Sequence, residues 1–283
     1  MTFGSDGRWS GRGKRQSRPW IVSDELWSLI EPLLPEPAAK QVEGRPRVPD
    51  RQALCGILFV LHTGIQWEYL PQELGFGSGM TCWRRPAAWN DAGVWDQLHL
   101  VLLKKLRIAK KLDRSRAVID SSHVRAARPG PQSGPSPVDH ARPGSKHHLI
   151  VDGQGISLAV SLTGGNRNDV TQLIPLLKKI PPVSGLVGRP RKRPDSLLGD
   201  RGYDHDKYRR LVWALGIKPV IARRGVPHGS GLGVHRWVVE RTIAWLHGFR
   251  RLRIRWERRD DIHEAFLGLA TCLITHRHVQ RLC

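Results

Sequence analysis

Apolar residues recur every three or four positions between Trp20 and Leu106, and the same stretch carries helix start and stop signals. Ser23 is placed to cap a helix over Asp24 to Leu34, with prolines at 32, 35 and 37 as punctuation. Pro49 and Asp50 open a second helix, Arg51 to His62, which Thr63 and Gly64 end. Trp67 to Leu74 follows as a helical stretch, so the outline is helix-turn-helix-like. Thr81 to Trp89, carrying Arg84 and Arg85, makes a third helix that Pro86 is expected to kink or end, since proline lacks the N–H and crowds the preceding turn. Trp95 to Leu106 closes the region.

From Arg116 the pattern changes to short β-rich runs: Ala117 to Asp120, His148 to Asp152, Ile156 to Leu162, Ser196 to Asp200 and Lys218 to Ala222. Helical stretches lie between them at Thr171 to Lys179 and Asp206 to Leu215, and a long one runs from about His235 to Arg255. Strands alternating with helices predict an α/β sheet covered by helices, preceded by a small all-helical domain. The expected division is a helical domain over 18–108, an α/β domain over 114–278 and a basic, disordered tail over 1–17. Pro129 to Ser145 and Pro181 to Pro194 are too rich in Pro and Gly to be regular and read as loops.

Charge narrows the partner. Lys and Arg total 46 against 25 acids, a formal net charge of +21 over 283 residues, and this excess favours a polyanion. The cations cluster at Arg12 to Arg18, Lys104 to Arg116, Arg189 to Arg193 and Arg250 to Arg259; each cluster alone also fits a solvated surface. Gly-Arg-Pro-Arg occurs at Gly44 to Arg47 and again at Gly188 to Arg191, a tract able to lay arginines in a minor groove and equally able to be a basic loop. The longest apolar run, Ala53 to Ile65, contains His62 and falls short of the ~20 residues a membrane span needs. No membrane partner is expected. The charged N-terminus lacks a following apolar stretch, so the expected location is cytoplasmic, associated with the nucleoid. Four scattered cysteines argue against a disulfide framework, and Cys272 and Cys283 flank His276 and His278 at a spacing that matches no standard zinc module.

Two candidate strands end in aspartate, Val118-Ile119-Asp120 and Leu197-Leu198-Gly199-Asp200, which places both acids at the rim of a buried sheet, where open α/β sheets put their ligands. Capping of the strand ends is the plainer alternative for either alone. A third acid, Glu240, is the only one between Asp206 and Glu257, and at about 100° per residue it shares a helix face with Arg236, Ile243, Ala244, His247 and Arg251. An acid among positive groups suits phosphodiester chemistry. Converging carboxylates can hold two divalent ions about 4 Å apart, and oxygen ligands select hard ions, Mg2+ or Mn2+. The surrounding cations would hold the phosphate backbone, a contribution that depends on salt and not on sequence.

These residues resemble the Asp-Asp-Glu transposases of bacterial insertion sequences, in particular the group named after insertion sequence five. The resemblance runs from about Trp20 to Leu273. It rests on Val118-Ile119-Asp120-Ser121-Ser122-His123-Val124-Arg125, on Gly144-Ser145-Lys146-His147-His148, on Asp200-Arg201-Gly202-Tyr203-Asp204, and on His235-Arg236-Trp237-Val238-Val239-Glu240-Arg241-Thr242 running into Phe249-Arg250-Arg251-Leu252-Arg253. It implies a ribonuclease-H-like mixed sheet flanked by helices, with Asp120 on the first strand, Asp200 after the fourth and Glu240 on a late helix. The three acids would be both catalytic residues and metal ligands. Arg236, His247, Arg251, His123, Lys146 and Arg201 would contact DNA. The broader group spaces tyrosine, arginine, glutamate and lysine in a signature that Arg236 and Glu240 fit, with Gly233 and His247 standing where tyrosine and lysine would be. His147, Asp169 and Asp204 lie nearby in the pattern, the two acids either supporting the metal or capping helices.

What the resemblance implies is metal-dependent cleavage at the terminal inverted repeats of a mobile element and joining of the freed ends to target DNA, by a dimer or larger synaptic complex. A catalytically inactive DNA-binding remnant and a nuclease of the same fold are the alternatives.

Overall fold

The computed structural model describes residues 18–37, 46–226 and 233–283. The expected tail over 1–17, with most of the first basic cluster, and the start of the first Gly-Arg-Pro-Arg tract lie outside them. The helical region comprises α1 (Asp24–Ile30), α2 (Asp50–Thr63), α3 (Gly79–Asp91) and α4 (Val94–Ile108). Then come β1 (Arg116–Ala126), β2 (Gly134–Pro135), β3 (Pro143–Asp152), β4 (Ser157–Gly164), α5 (Leu173–Lys179), β5 (Ser196–Gly199), α6 (Asp206–Ala214) and β6 (Lys218–Ile221). The chain closes with α7 (Gly233–Gly248), α8 (Arg250–Arg253), β7 (Ile254–Arg255) and α9 (Asp260–Leu282).

The main strands lie in the order β4-β3-β1-β5-β6. The first two pairings are antiparallel and the last two parallel, so the sheet is mixed, as expected. Its middle is apolar because both faces are covered: Ala117 to Ile119, Leu149 to Val151 and Leu197 to Leu198 are all buried. The helical region and the sheet share one continuous core, joined by α9, which packs along α3, α4 and β4. Within that seam the Trp67 ring stacks on Phe266 at 5.7 Å between centroids. No helix among the described residues is long and apolar enough to cross a membrane.

Several boundaries differ from the pattern. Ser23 caps α1 as expected, its side chain accepting from the Leu26 amide, but the α-helix stops at Ile30 and a single 3-10 turn over Glu31–Leu33, containing Pro32, follows. Trp67 to Leu74 is not one helix; it is two 3-10 turns, Trp67–Tyr69 and Gln72–Leu74, divided at Pro71. Conversely, α3 does not end at Pro86 but continues to Asp91. The ring forfeits the bond to the Cys82 carbonyl, and burial of Cys82, Ala87 and Trp89 on either side compensates. Its N-terminus is pressed against the turn before it: a Cβ on Gly79 would stand 1.8 Å from the Trp67 carbonyl oxygen. Strand β3 begins at Pro143, inside the expected loop, and β1 extends past Asp120 to Ala126. The helix expected to reach Arg255 ends at Gly248, because Phe249 turns extended (φ −80°, ψ 110°) before α8. Beyond it lies α9, which the pattern did not reveal.

Candidate active site

Asp120 sits in the middle of a strand, not at its end. The rim appears because β1 loses a neighbour: its parallel pairing with β5 covers only 116–118, and beyond Val118 the sheet forks. Asp120 is the second residue past that fork. Asp200 follows the last residue of β5 and caps a 3-10 turn over Arg201–Tyr203, its Oδ1 accepting from the Gly202 amide at 2.8 Å. The capping alternative therefore holds for Asp200, yet it occupies only one carboxylate oxygen. Asp120 uses its Oδ1 in the same way, accepting from the Ser121 amide at 2.8 Å.

The free oxygens converge on one cation. Arg236 Nη2 donates to Asp120 Oδ2 at 3.3 Å and lies 3.9 Å from Asp200 Oδ2. Glu240 is one turn along α7 from Arg236 and exposed. Burial raises the Asp120 carboxyl, the Ser121 amide and Arg236 pull it down, and the negative charges of Asp200 and Glu240 push it up again. The net direction is above the ordinary aspartate value. The three acids thus share one electrostatic neighbourhood. Among the described residues, no three ligand-type side chains stand close enough to surround a single ion. Two carboxylate oxygens, of Asp120 and Asp200, are turned toward one cationic nitrogen, with the Glu240 charge felt at Asp120, and oxygens of this kind suit a hard divalent ion.

The residues expected to contact DNA divide into two groups. His123, Arg201 and His247 are half-buried and retain an open side. His247 Nε2 lies 3.2 Å from Ser122 Oγ, and burial, then Arg253, lowers its pKa. His123 Nδ1 lies 3.3 Å from Ser136 Oγ and is shifted the same way by burial and Lys146. Arg201 Nη2 donates to the Val226 carbonyl at 2.5 Å. Lys146 and Arg251 are different, and the expectation that they reach DNA has no surface to act on. Lys146 is 4% exposed, its ammonium donating to the Arg167 carbonyl at 2.7 Å and to Asp169 Oδ1 at 2.9 Å. Arg251 is also 4% exposed and pairs with Glu257; the break at Gly248 takes it off the face it was expected to share with Glu240.

Tyr203 escaped notice although it lies inside a quoted motif. It is buried directly behind the acids; burial, then the charges of Asp120, Asp169 and Asp200, pushes its phenol well above the ordinary value and keeps it protonated. Asp169 pairs with Lys146 at 2.9 Å and its charge reaches Tyr203, whereas Asp204 is taken up by Arg209 Nε and Nη2 (2.9 and 2.7 Å) and by the Arg224 amide at 2.7 Å. No cluster forms among the described residues from Cys272, Cys283, His276 and His278.

Comparison with known proteins yields two family matches. Residues 22–99 match the family described as "Putative transposase of IS4/5 family", and residues 111–275 match the family "Transposase DDE domain". A curated relative, "Putative transposase for insertion sequence element IS402" of Burkholderia cepacia, is 58% identical over 168 residues, 59% of this chain and 78% of the relative. Solved structures are far more distant. The Mos1 mariner paired end complex with Mn aligns over 86% of this chain and 80% of its own at 13% identity and a TM-score of 0.34. A chain of the simian T-cell lymphotropic virus intasome aligns over 55% of this chain at 16% identity and a TM-score of 0.34, and this chain spans 48% of that one.

Proposed function

Because the chain belongs to the transposases that carry the DDE domain, a family that works with divalent metal ions, we propose that Asp120, Asp200 and Glu240 are its catalytic acids and metal ligands. The reading is carried by one observation: the outward oxygens of Asp120 and Asp200 turn to the same guanidinium nitrogen of Arg236, one helical turn from Glu240 on α7. Mg2+ or Mn2+, two ions, would activate the attacking oxygen and stabilise the leaving one. The oxygens of Asp120, Asp200 and Glu240 would hold them. In the first step a water oxygen attacks phosphorus at the element's end, and the bond to the 3′ oxygen breaks to leave a 3′-hydroxyl and a 5′-phosphate. In the second, that 3′-hydroxyl oxygen attacks a phosphorus of the target strand and displaces the target's own 3′ oxygen. No covalent link to the protein is needed.

Arg236, turned to both Asp120 and Asp200, would hold a non-bridging phosphate oxygen. His123, Arg201 and His247 flank it as further backbone contacts, His247 taking the place of the lysine in the broader signature. Residues 18–108 act as the DNA-binding domain, with the tail over 1–17 adding charge, and residues 114–278 act as the catalytic domain. The partners are the terminal inverted repeats and target DNA, held by a dimer or larger synaptic complex in the cytoplasm, at the nucleoid. The test is strand cleavage and joining on labelled DNA bearing the element's ends, with Asp120→Asn, Asp200→Asn and Glu240→Gln compared with wild type. Joining that needs metal and disappears in each variant while DNA binding persists supports the reading; cleavage without joining makes the chain a nuclease, and activity surviving any of the three removes that residue from the site.

A further inference from the structure

The chain leaves the helix that carries Glu240 through a corner held from two sides. On one side β7 pairs in parallel with Arg125–Ala126 of β1, the strand that carries Asp120. Arg255 in β7 is fully buried and donates to the Gln132 carbonyl at 2.8 Å and to Ser145 Oγ at 2.9 Å, fastening the corner to the sheet. On the other side stands Arg251. Its Nε and Nη2 donate to Glu257 Oε1 at 2.8 and 2.5 Å, and its Nη1 donates to the carbonyls of Gly64 and Ile65 at 3.2 and 2.8 Å. Those carbonyls belong to the end of α2, in the helical region. Gly64 is left-handed there (φ +77°), and an added Cβ would meet Arg250 Cβ at 3.1 Å. The two elements are therefore in close apposition at this point.

Glu257 is 3% exposed at its side chain, and burial alone would raise its carboxyl; His263 and Arg251 outweigh burial and hold it below the ordinary glutamate value. The pair is thus ionised and closed off from water. Nothing in the proposed chemistry requires such a pair here, and a buried ion pair is poor insurance for stability, because apolar side chains of the same size commonly serve as well. What an arginine does that they cannot is join a carboxylate to two carbonyls across an element boundary, through the fixed fork of its guanidinium.

We propose that Arg251 and Glu257 are positioning residues: their buried pair, tied to the end of α2, fixes the C-terminal end of α7 and so sets where Glu240 stands relative to Asp120. The proposal rests on the reading of those acids as metal ligands. Neither residue touches DNA or metal; both act through the helix. Outer partners that orient metal ligands typically change metal affinity by about 10- to 100-fold when removed, and an effect at the low end is expected, since one of three ligands is displaced.

The test uses the full chain without DNA and measures Mn2+ binding by the resonance signal of the free ion, alongside melting temperature, DNA affinity and cleavage. Single substitutions strand a buried charge, so the first variant is the pair Arg251→Met with Glu257→Leu. The second, Arg251→Lys, keeps the charge and loses the fork. The expected result is cooperative melting and unchanged DNA affinity, with Mn2+ affinity about 10-fold weaker and cleavage restored by raising Mn2+. A purely structural role would lower melting temperature and DNA affinity together and leave the affinity of the folded fraction for Mn2+ unchanged, which overturns the proposal. If Mn2+ affinity falls in the variants while wild type cleaves no DNA, the transposase reading fails and the positioning role stands; if wild type cleaves and the variants match it at every Mn2+ concentration, the positioning role alone fails.

Discussion

Lowering the pH should destabilise the protein through two histidines whose burial forbids charge. His99 is 9% exposed with Nε2 3.0 Å from the Ser157 carbonyl oxygen, and His148 is fully buried with Nε2 2.7 Å from Thr163 Oγ1. Burial dominates in both and lowers each pKa to about 4. An unfolded histidine titrates near 6.5, so on acidification the unfolded chain takes up a proton that the folded chain refuses. The associated stability is complete above 6.5, is lost as pH falls from 6.5 toward 4, and changes no further below. At pH 5 each histidine has cost roughly 2 kcal/mol, and the two together about 4 kcal/mol. For a chain of this size that is on the order of 8 to 16 °C in melting temperature.

Asp152 acts in the opposite sense. Burial raises it to about 7, against three backbone amides that pull it down, so it favours the folded state as the pH falls. Wild type alone therefore mixes opposing contributions, because His62 and His278, also lowered by burial to about 4, add to the loss. The clean readout is a difference: chemical unfolding from pH 8 to pH 5 of wild type, His99→Gln and His148→Gln. Each substitution should remove about 2 kcal/mol of the acid-dependent loss, whatever it costs at neutral pH. Stability curves parallel to wild type across that range would refute the assignment of neutral, buried histidines.

Two further predictions are independent of these. Arg236→Gln should reduce the dependence of DNA affinity on salt, flattening the slope of log K against log salt by about 1; an unchanged slope in a salt titration would mean that Arg236 neutralises no phosphate. Gly79→Ala should destabilise the helical region by roughly 1 to 3 kcal/mol, the usual cost of forcing atoms into a packed site, because its Cβ would overlap the Trp67 carbonyl oxygen; urea unfolding measures it, and wild-type stability would contradict the packing.

The neighbourhood of the three acids was legible because local signals coincide with it. Apolar runs ending at Asp120 and Asp200 marked the sheet rim, and helical periodicity put Arg236 and Glu240 on one face of α7. Long-range pairings were not legible. Lys146 and Arg251 read as surface cations, since their partners Asp169 and Glu257, and the Gly64 and Ile65 carbonyls, are brought to them only by folding. The fork that exposes Asp120 depends on how far β5 runs beside β1, which no local pattern encodes. Helix α9 was obscured because buried His263, Thr271, Thr275 and His276 interrupt its apolar stripe, whereas α3 was legible as a helix and only its continuation past Pro86 was not.

The most direct test of the account is to exchange Asp120 for cysteine and assay strand cleavage in Mg2+ and in Mn2+. A thiolate is a poor ligand for Mg2+ and a better one for the softer Mn2+. If Asp120 binds the metal used in the reaction, Asp120→Cys should be inactive with Mg2+ and recover cleavage with Mn2+, whereas wild type works with both. Equal cleavage by the variant in the two metals would contradict the claim that this carboxylate holds the ion.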